Sequence, residues 1–233
     1  MNGSFAPAPA RQWQEPVHLD LLDDDAREAW VMRVMLARAH WRQRHPLVPF
    51  YTLGLAAYLD CAGGGTGLYH DGAARRASNA LLAGMFQPLL DRVAAALADC
   101  LGAPAALADD AALPGFHIYL PNPVFGGPVA KVHRDLQFQD VYPGRRPGPG
   151  DLVSFTLSLS TPPGSGLNQW SGEAGEAAQL GEPEFFPYRD GMLIVHDGLV
   201  THQAVLACDG SVERITLQGH GLRRDDGHFI LYW

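Results

Sequence analysis

Residues 151–160, DLVSFTLSLS, alternate without a break: Val153, Phe155, Leu157 and Leu159 fall on one parity, and Ser154, Thr156, Ser158 and Ser160 on the other. Successive side chains of an extended strand point to opposite faces, so this segment predicts a strand with one apolar and one hydroxyl-bearing face. The apolar face demands a partner layer. Two upstream segments can supply it. Residues 23–45 open with Asp23, Asp24 and Asp25, close with basic residues, and carry Trp30, Val34, Ala37 and Trp41 at helical spacing, a pattern that suits the helix dipole at both ends. Residues 73–101 set Leu82, Met85, Phe86, Leu89, Leu90, Val93 and Leu97 on one side of a second, longer helix.

Between these helices, Pro46 and Pro49 break the first pattern, and a short helical piece over 52–60 leads into the glycine-rich turn of Gly63, Gly64, Gly65 and Gly67. No Lys-Ser/Thr pair follows that turn and no strand pattern precedes it, so it reads as a connection, not a phosphate loop. Residues 1–19, with Pro7, Pro9 and Pro16, read as an irregular arm. After Pro104 the texture changes to short strands separated by Pro/Gly turns, at 115–120, 129–135, 151–160, 191–196, 200–206, 212–218 and 228–232. Helices first and strands afterwards, in one domain over 1–233, predict a sandwich, jelly roll or barrel at 105–233 supported by the arm and helices of 1–104.

Composition removes several function classes. A formal charge of −8 gives no global support for gripping a phosphate backbone, so nucleic acid is not an expected partner. The 3 cysteines, Cys61, Cys100 and Cys208, are far apart and odd in number, which suggests neither a disulfide framework nor a Cys-based zinc site and fits a cytoplasmic protein. The first twenty residues show no basic stretch leading into an apolar run, and no uninterrupted apolar segment has a bilayer-spanning length, so no membrane association is expected.

The polar faces of the strands are chemically unusual. His117 and Tyr119 oppose Phe116, Ile118 and Leu120; Lys131, His133 and Asp135 share one side; Arg214, Thr216 and Gln218 oppose Ile215 and Leu217. Ser and Thr can simply face water. A gathering of His, Tyr, Lys and Arg fits better with a polar cavity that holds a charged ligand or a metal. Within it, His133-Arg134-Asp135 places an imidazole and a carboxylate two positions apart, able to share one cation. The same spacing recurs by chance at His18-Leu19-Asp20, so context has to separate the two. That context is His202 after the Asp197-Gly198 turn, with Arg214 12 residues further on and Thr216 two beyond it.

His133, Asp135 and His202 resemble the two-His-one-carboxylate facial triad of the 2-oxoglutarate-dependent non-haem Fe(II) oxygenases, a ligand set that leaves iron positions open. The segment GMLIVHDGLVTHQAVLACDGSVERITLQGHG is similar to the distal half of that family, and the resemblance spans roughly residues 115–222. It implies a mainly β fold with N-terminal helices around a double-stranded β-helix (jelly-roll, cupin-like) core. It also implies Fe(II), 2-oxoglutarate and O2 as cofactor and cosubstrates, and a small-molecule substrate. Arg214 is then expected to pair with the far carboxylate of 2-oxoglutarate, helped by Thr216, with Tyr119 donating to the same molecule; a planar guanidinium suits a carboxylate through two parallel hydrogen bonds.

The implied reaction is hydroxylation of a small metabolite, or a desaturating or ring-forming variant, coupled to decarboxylation of 2-oxoglutarate to succinate. Asp135 fills the position that halogenating relatives leave to chloride. Trp170, from a long Gly/Pro-punctuated stretch over 161–190 that reads as a lid or binding loop, joins His117 and Lys131 as candidate substrate contacts. His196 stands where relatives often carry an aromatic residue and competes with His202 as second imidazole ligand. His40, His70, His220 and His228 have no partner pattern and receive no role. Two other readings of the residues stay open: a cupin-like metalloenzyme that works without a keto acid and needs neither Arg214 nor Thr216, and a non-catalytic jelly-roll binding module with structural His and Asp.

Overall fold

The structure is a computed structural model and describes residues 15–63, 65–170 and 181–233. Most of the arm expected at 1–19, Gly64 of the glycine-rich turn and the middle of the 161–190 stretch lie outside the described residues. In chain order the elements are β1 (Val17–Asp20), α1 (Asp24–Leu36), β2 (Arg42–Gln43), β3 (Phe50–Leu53), α2 (Ala57–Asp60), α3 (Gly72–Leu101), β4 (Ala105–Leu107), β5 (Gly115–Tyr119), α4 (Phe138–Val141), β6 (Leu152–Ser160), β7 (Gly166–Gln169), β8 (Glu184–Pro187), β9 (Met192–Asp197), β10 (His202–Val205), β11 (Arg214–Arg223) and β12 (Phe229–Tyr232).

The alternating segment is β6, every residue of it buried, at the centre of a large sheet of order β1-β9-β6-β11-β5-β3-β2, with β12 paired to β11 and β4 paired to β12. A smaller sheet runs β10-β7-β8. One face of β6 packs Val153, Phe155, Leu157 and Leu159 into a core with Phe116 and Ile118 of β5, Leu193 and Val195 of β9, and Ile215 and Leu217 of β11. Leu82, Phe86, Leu89, Leu90, Val93 and Leu97 of α3 cover that face. By length and composition α3 could cross a bilayer, but the stripe responsible for its hydropathy is the one buried on the sheet. Asp71 caps its first turn by accepting from Ala73 N (2.8 Å) and Ala74 N (3.1 Å), and Gly102, at φ 62°, ends it in the left-handed conformation.

The structure corrects five expectations, each where a long-range contact overrides a local pattern. The first helix ends at Leu36 and not near residue 45: Trp41 turns back to donate its indole N–H to Val34 O (3.1 Å), and Arg44 is drawn to Asp60 by contacts of 2.7 and 2.6 Å. The helical piece at 52–60 is strand to Leu53, paired with β5, and helix only from Ala57. Residues 17–20, expected to be irregular, add β1 to the edge of the sheet beside β9. The strand expected at 129–135 does not form; its one ladder contact is a bridge from His133 to His202. The 161–190 stretch contains β7 and β8, so it is part of the small sheet and not only a loop.

At Gly115 of β5 an added Cβ would collide with the Trp233 ring and come 2.6 Å from Leu53 O, so only glycine lets this indole lie against the sheet. Phe86 is fully buried, 4.6 Å from the Phe116 ring and 6.2 Å from the Trp30 ring. Truncation of Phe86 to Ala is expected to cost about 3–5 kcal/mol, read as a lowered denaturant midpoint at unchanged m-value.

Candidate metal and cosubstrate site

Facing away from α3, the other parity of the same strands lines a cavity of about 740 Å3. Strand register aligns its residues in rows. His196, Ser154 and His220 lie side by side on β9, β6 and β11, and Thr156 stands next to Gln218 in the following row. Tyr119 pairs with Arg214 across β5 and β11.

His133, Asp135 and His202 converge, with one ligand atom from each lying within 4.8 Å of the others; they form the one such cluster among the described residues. Reciprocal backbone hydrogen bonds between His133 and His202, both 2.9 Å, join the two segments, and Asp135 N donates to Gly198 O at 2.8 Å. Each imidazole is also aimed from behind. His133 Nδ1 lies 2.8 Å from Lys131 O and His202 Nδ1 2.9 Å from Val200 O, so both donate at Nδ1 and present Nε2 inward. Those Nε2 atoms approach the two Asp135 oxygens at 3.5 Å each. The His133 side chain is 46% exposed and that of His202 only 7%, so the cluster is buried on one side and open on the other.

Asp135 is held as a carboxylate and His202 is lowered, while at His133 burial is outweighed by contact with Asp135, which raises that imidazole. Burial alone would raise the Asp135 carboxyl, but the imidazoles of His202, His220 and His133 outweigh it and hold the group well below the usual carboxylate range. Burial lowers His202. A carboxylate beside a neutral buried imidazole is the donor set that metal binding requires. His196 lies against His202, with ring centroids 4.5 Å apart, but its Nδ1 faces Asp197 O at 3.2 Å and burial drops its pKa to about 3. It stays outside the cluster that includes His202.

Behind Asp135 stands a group the sequence reading left out. His220 Nδ1 is 2.9 Å from Ser154 Oγ and 3.7 Å from Asp135 Oδ2, and its Nε2 meets the Gln137 amide. The Ser154 hydroxyl donates to Asp135 Oδ2, while Gln137 Nε2 donates to Oδ1 at 3.3 Å. His220 shares the parity of Arg214, Thr216 and Gln218, so the alternation would have found it had the strand not been ended at 218. Gly219 and Gly221 look like a strand end. Gly219 is instead a packing position, where a Cβ would run into the Phe155 ring and Tyr232 O.

Arg214 is 1% exposed, and its Nε and Nη2 have no hydrogen-bond partner. Unpaired donors on a buried guanidinium are costly. Tyr119 and Tyr188 flank it, with the guanidinium carbon 5.5 and 5.4 Å from their ring centroids. Burial raises both phenols, Tyr119 to about 12, so each keeps a proton to donate. A bound carboxylate would satisfy these donors, so the residues present fit 2-oxoglutarate here. Thr216 is fully buried and does not line the cavity; its Oγ1 accepts from Arg214 Nη1 (3.4 Å) and Gln218 Nε2 (3.2 Å), which places it as a restraint on the guanidinium.

Of the proposed substrate contacts, His117 and Lys131 line the cavity and Trp170 does not. The Trp170 indole donates to Gly181 O at 2.8 Å and its backbone N to Thr201 O at 3.0 Å. Tyr188 is the aromatic of that stretch which reaches the cavity. Burial, reinforced by the Arg214 and Arg44 cations, holds His117 neutral, and the Tyr58 hydroxyl is hydrogen-bonded to its Nε2 at 2.6 Å. Tyr58 was hidden inside the segment expected to be helical from 52 to 60.

No protein-family sequence model matches the chain, and no curated protein sequence does. Solved structures do. An N-substituted L-amino acid dioxygenase from Burkholderia ambifaria AMMD aligns over 94% of this chain and 86% of its own, with TM-score 0.57 and 15% identity. A structure of such a dioxygenase in complex with α-ketoglutarate covers 94% and 86%, with TM-score 0.50 and 13% identity. The non-haem α-ketoglutarate dependent epimerase SnoN from nogalamycin biosynthesis covers 90% and 80%, with TM-score 0.55 and 13% identity. The chain shares its fold with these structures, and the His133, Asp135 and His202 cluster lies within it. The large and small sheets are thus those of a double-stranded β-helix, with the cluster where His133 bridges to His202 of the small sheet.

Because His220, Ser154 and Gln137 together orient Asp135, His220→Ala is expected to weaken binding of a divalent cation at the cluster by about 10–100-fold, measured by anaerobic titration on protein whose circular dichroism is unchanged. Asp135→Ala is expected to abolish it.

Proposed function

We propose that this chain is an Fe(II)- and 2-oxoglutarate-dependent oxygenase that hydroxylates a small molecule, or desaturates or cyclises it. The observation that carries this reading is the pairing of a metal-ligand cluster with an unpaired buried guanidinium on the wall of one cavity. A metalloenzyme working without a keto acid would leave the Arg214 donors unexplained, and a binding module would leave the cluster unexplained.

His133, Asp135 and His202 would hold the ferrous ion. With 2-oxoglutarate and O2, that ion supplies the oxidising chemistry, and the cosubstrate leaves as succinate and CO2. The chain's own part is to bind and orient. Arg214 offers Nε and Nη2 to the far carboxylate, and the protonated phenols of Tyr119 and Tyr188 donate beside it. His117, kept neutral and fixed by Tyr58, faces the space left for substrate. Phe50, parallel to Tyr119 at 4.4 Å, and Phe125 form an apolar wall that excludes water from the reacting groups.

Purified protein supplied with Fe(II), ascorbate, O2 and 2-oxoglutarate is expected to release succinate slowly even without its substrate, and His133→Ala and Asp135→Ala to release none. Arg214→Ala is expected to weaken 2-oxoglutarate binding by about 100-fold, measured by calorimetry on the iron-loaded protein. Unchanged affinity would remove Arg214 from its assigned role, and wild-type protein that makes no succinate would reject the oxygenase reading.

A further inference from the structure

Lys131 is the only lysine in the 233-residue chain. It is exposed, lines the cavity, and sits two positions before the first triad histidine. Its backbone is fixed: Lys131 O takes the His133 Nδ1 hydrogen bond at 2.8 Å, and Ala130 O accepts from Gln203 Nε2 at 2.7 Å. Its ammonium has no ion pair or hydrogen bond among the described residues. Six arginines, by contrast, are paired: Arg27, Arg44, Arg145, Arg189, Arg223 and Arg224 each have a carboxylate within 4.0 Å.

Charge accounting over the cavity gives this unpaired cation a meaning, and it rests on the oxygenase reading above. Asp135 is the only acid among the described lining residues. A ferrous dication, the Asp135 carboxylate, the 2-oxoglutarate dianion and the Arg214 guanidinium together sum to zero. Lys131 is left over. The protein as a whole carries −8, so attraction for an anion has to be local, and the residue that supplies it stands at the rim of the space left for substrate. The rest of that space is lined largely by Val48, Phe50, Val124, Phe125, Val129 and Leu206.

We propose that the substrate is a carboxylic acid with a single negative charge and an apolar body, its carboxylate held by Lys131 and its body laid along the Phe50/Phe125 wall. A phosphate monoester, mostly dianionic at neutral pH, would leave one charge uncompensated. An amine would meet a like charge.

The test uses matched acid and amide pairs: 4-phenylbutanoate with 4-phenylbutanamide, octanoate with octanamide, and N-acetylphenylalanine with its amide. Each is titrated calorimetrically into protein loaded anaerobically with Fe(II) and 2-oxoglutarate, so that binding is read without turnover. At least one acid is expected to bind about tenfold more tightly than its amide, a preference that shrinks as salt rises. Lys131→Met is expected to erase the preference, Lys131→Glu to reverse it and Lys131→Arg to retain it. The proposal is overturned if no acid outbinds its amide, or if Lys131→Met keeps the preference. Iron and 2-oxoglutarate binding, measured on the same wild-type preparation, judges the oxygenase reading separately. If both bind and the acid preference is missing, only the carboxylate assignment falls; if neither binds, both fall.

Discussion

Two backbone hydrogen bonds between His133 and His202, both 2.9 Å, tie the segment that carries the triad's first two members directly to its third. The segment around residues 129–135 has no strand ladder of its own. It is fastened to the small sheet at His133, to the Asp197-Gly198 turn through Asp135 N, and to β10 again through Gln203. These contacts turn an irregular segment into a rigid mount, and Nδ1 of each triad imidazole is then used up on a backbone carbonyl. Orientation, tautomer and spacing are thus settled by main-chain geometry before a cation arrives. The neighbouring Gln137 and, from the large sheet, Ser154 and His220 then complete the mount around Asp135.

The cavity is built on unequal burial. The large sheet contributes Arg214, Ser154, His220 and His117 with almost no exposure, while the mount carrying Lys131 and His133 stands in solvent. Charges on the sheet side sit in a poorly screened setting, where an unpaired guanidinium is expensive and a carboxylate ligand is correspondingly well rewarded. The rim is wetter, and a lysine there acts at lower energy and with more freedom. The two cations thus stand in different settings, Arg214 buried among the strands and Lys131 exposed at the rim.

Much of this was legible before any coordinates. The parity of residues 151–160 defines both the core face and the cavity face, and the 30-residue α3 follows from its apolar stripe. His133, Asp135, His202 and Arg214 could be grouped because each lies in or beside an apolar strand pattern with the spacing of a known family. What escaped depended on partners far away in sequence. Val17–Asp20 is a strand only because β9 offers an edge, and Trp41 leaves its helix only because β3 gives it Tyr51 to pack on, with ring centroids 5.7 Å apart. His220 was hidden by two glycines whose purpose is close packing, not a turn. Tyr188 and Trp170 share one stretch, and no local pattern tells which of them faces inward; the pairing of β7 with β8 decides it.

The uneven exposure of the two triad histidines also sets a route. A cation entering or leaving the cluster has to pass on the His133 side, since His202 and Asp135 are walled in by β6, β9 and β11. Chelators and competing divalent ions would reach the centre through that same opening. Once an acidic molecule rested on the rim beside it, the doorway would be narrowed by its own visitor, so that occupancy of the pocket and retention of the metal become coupled.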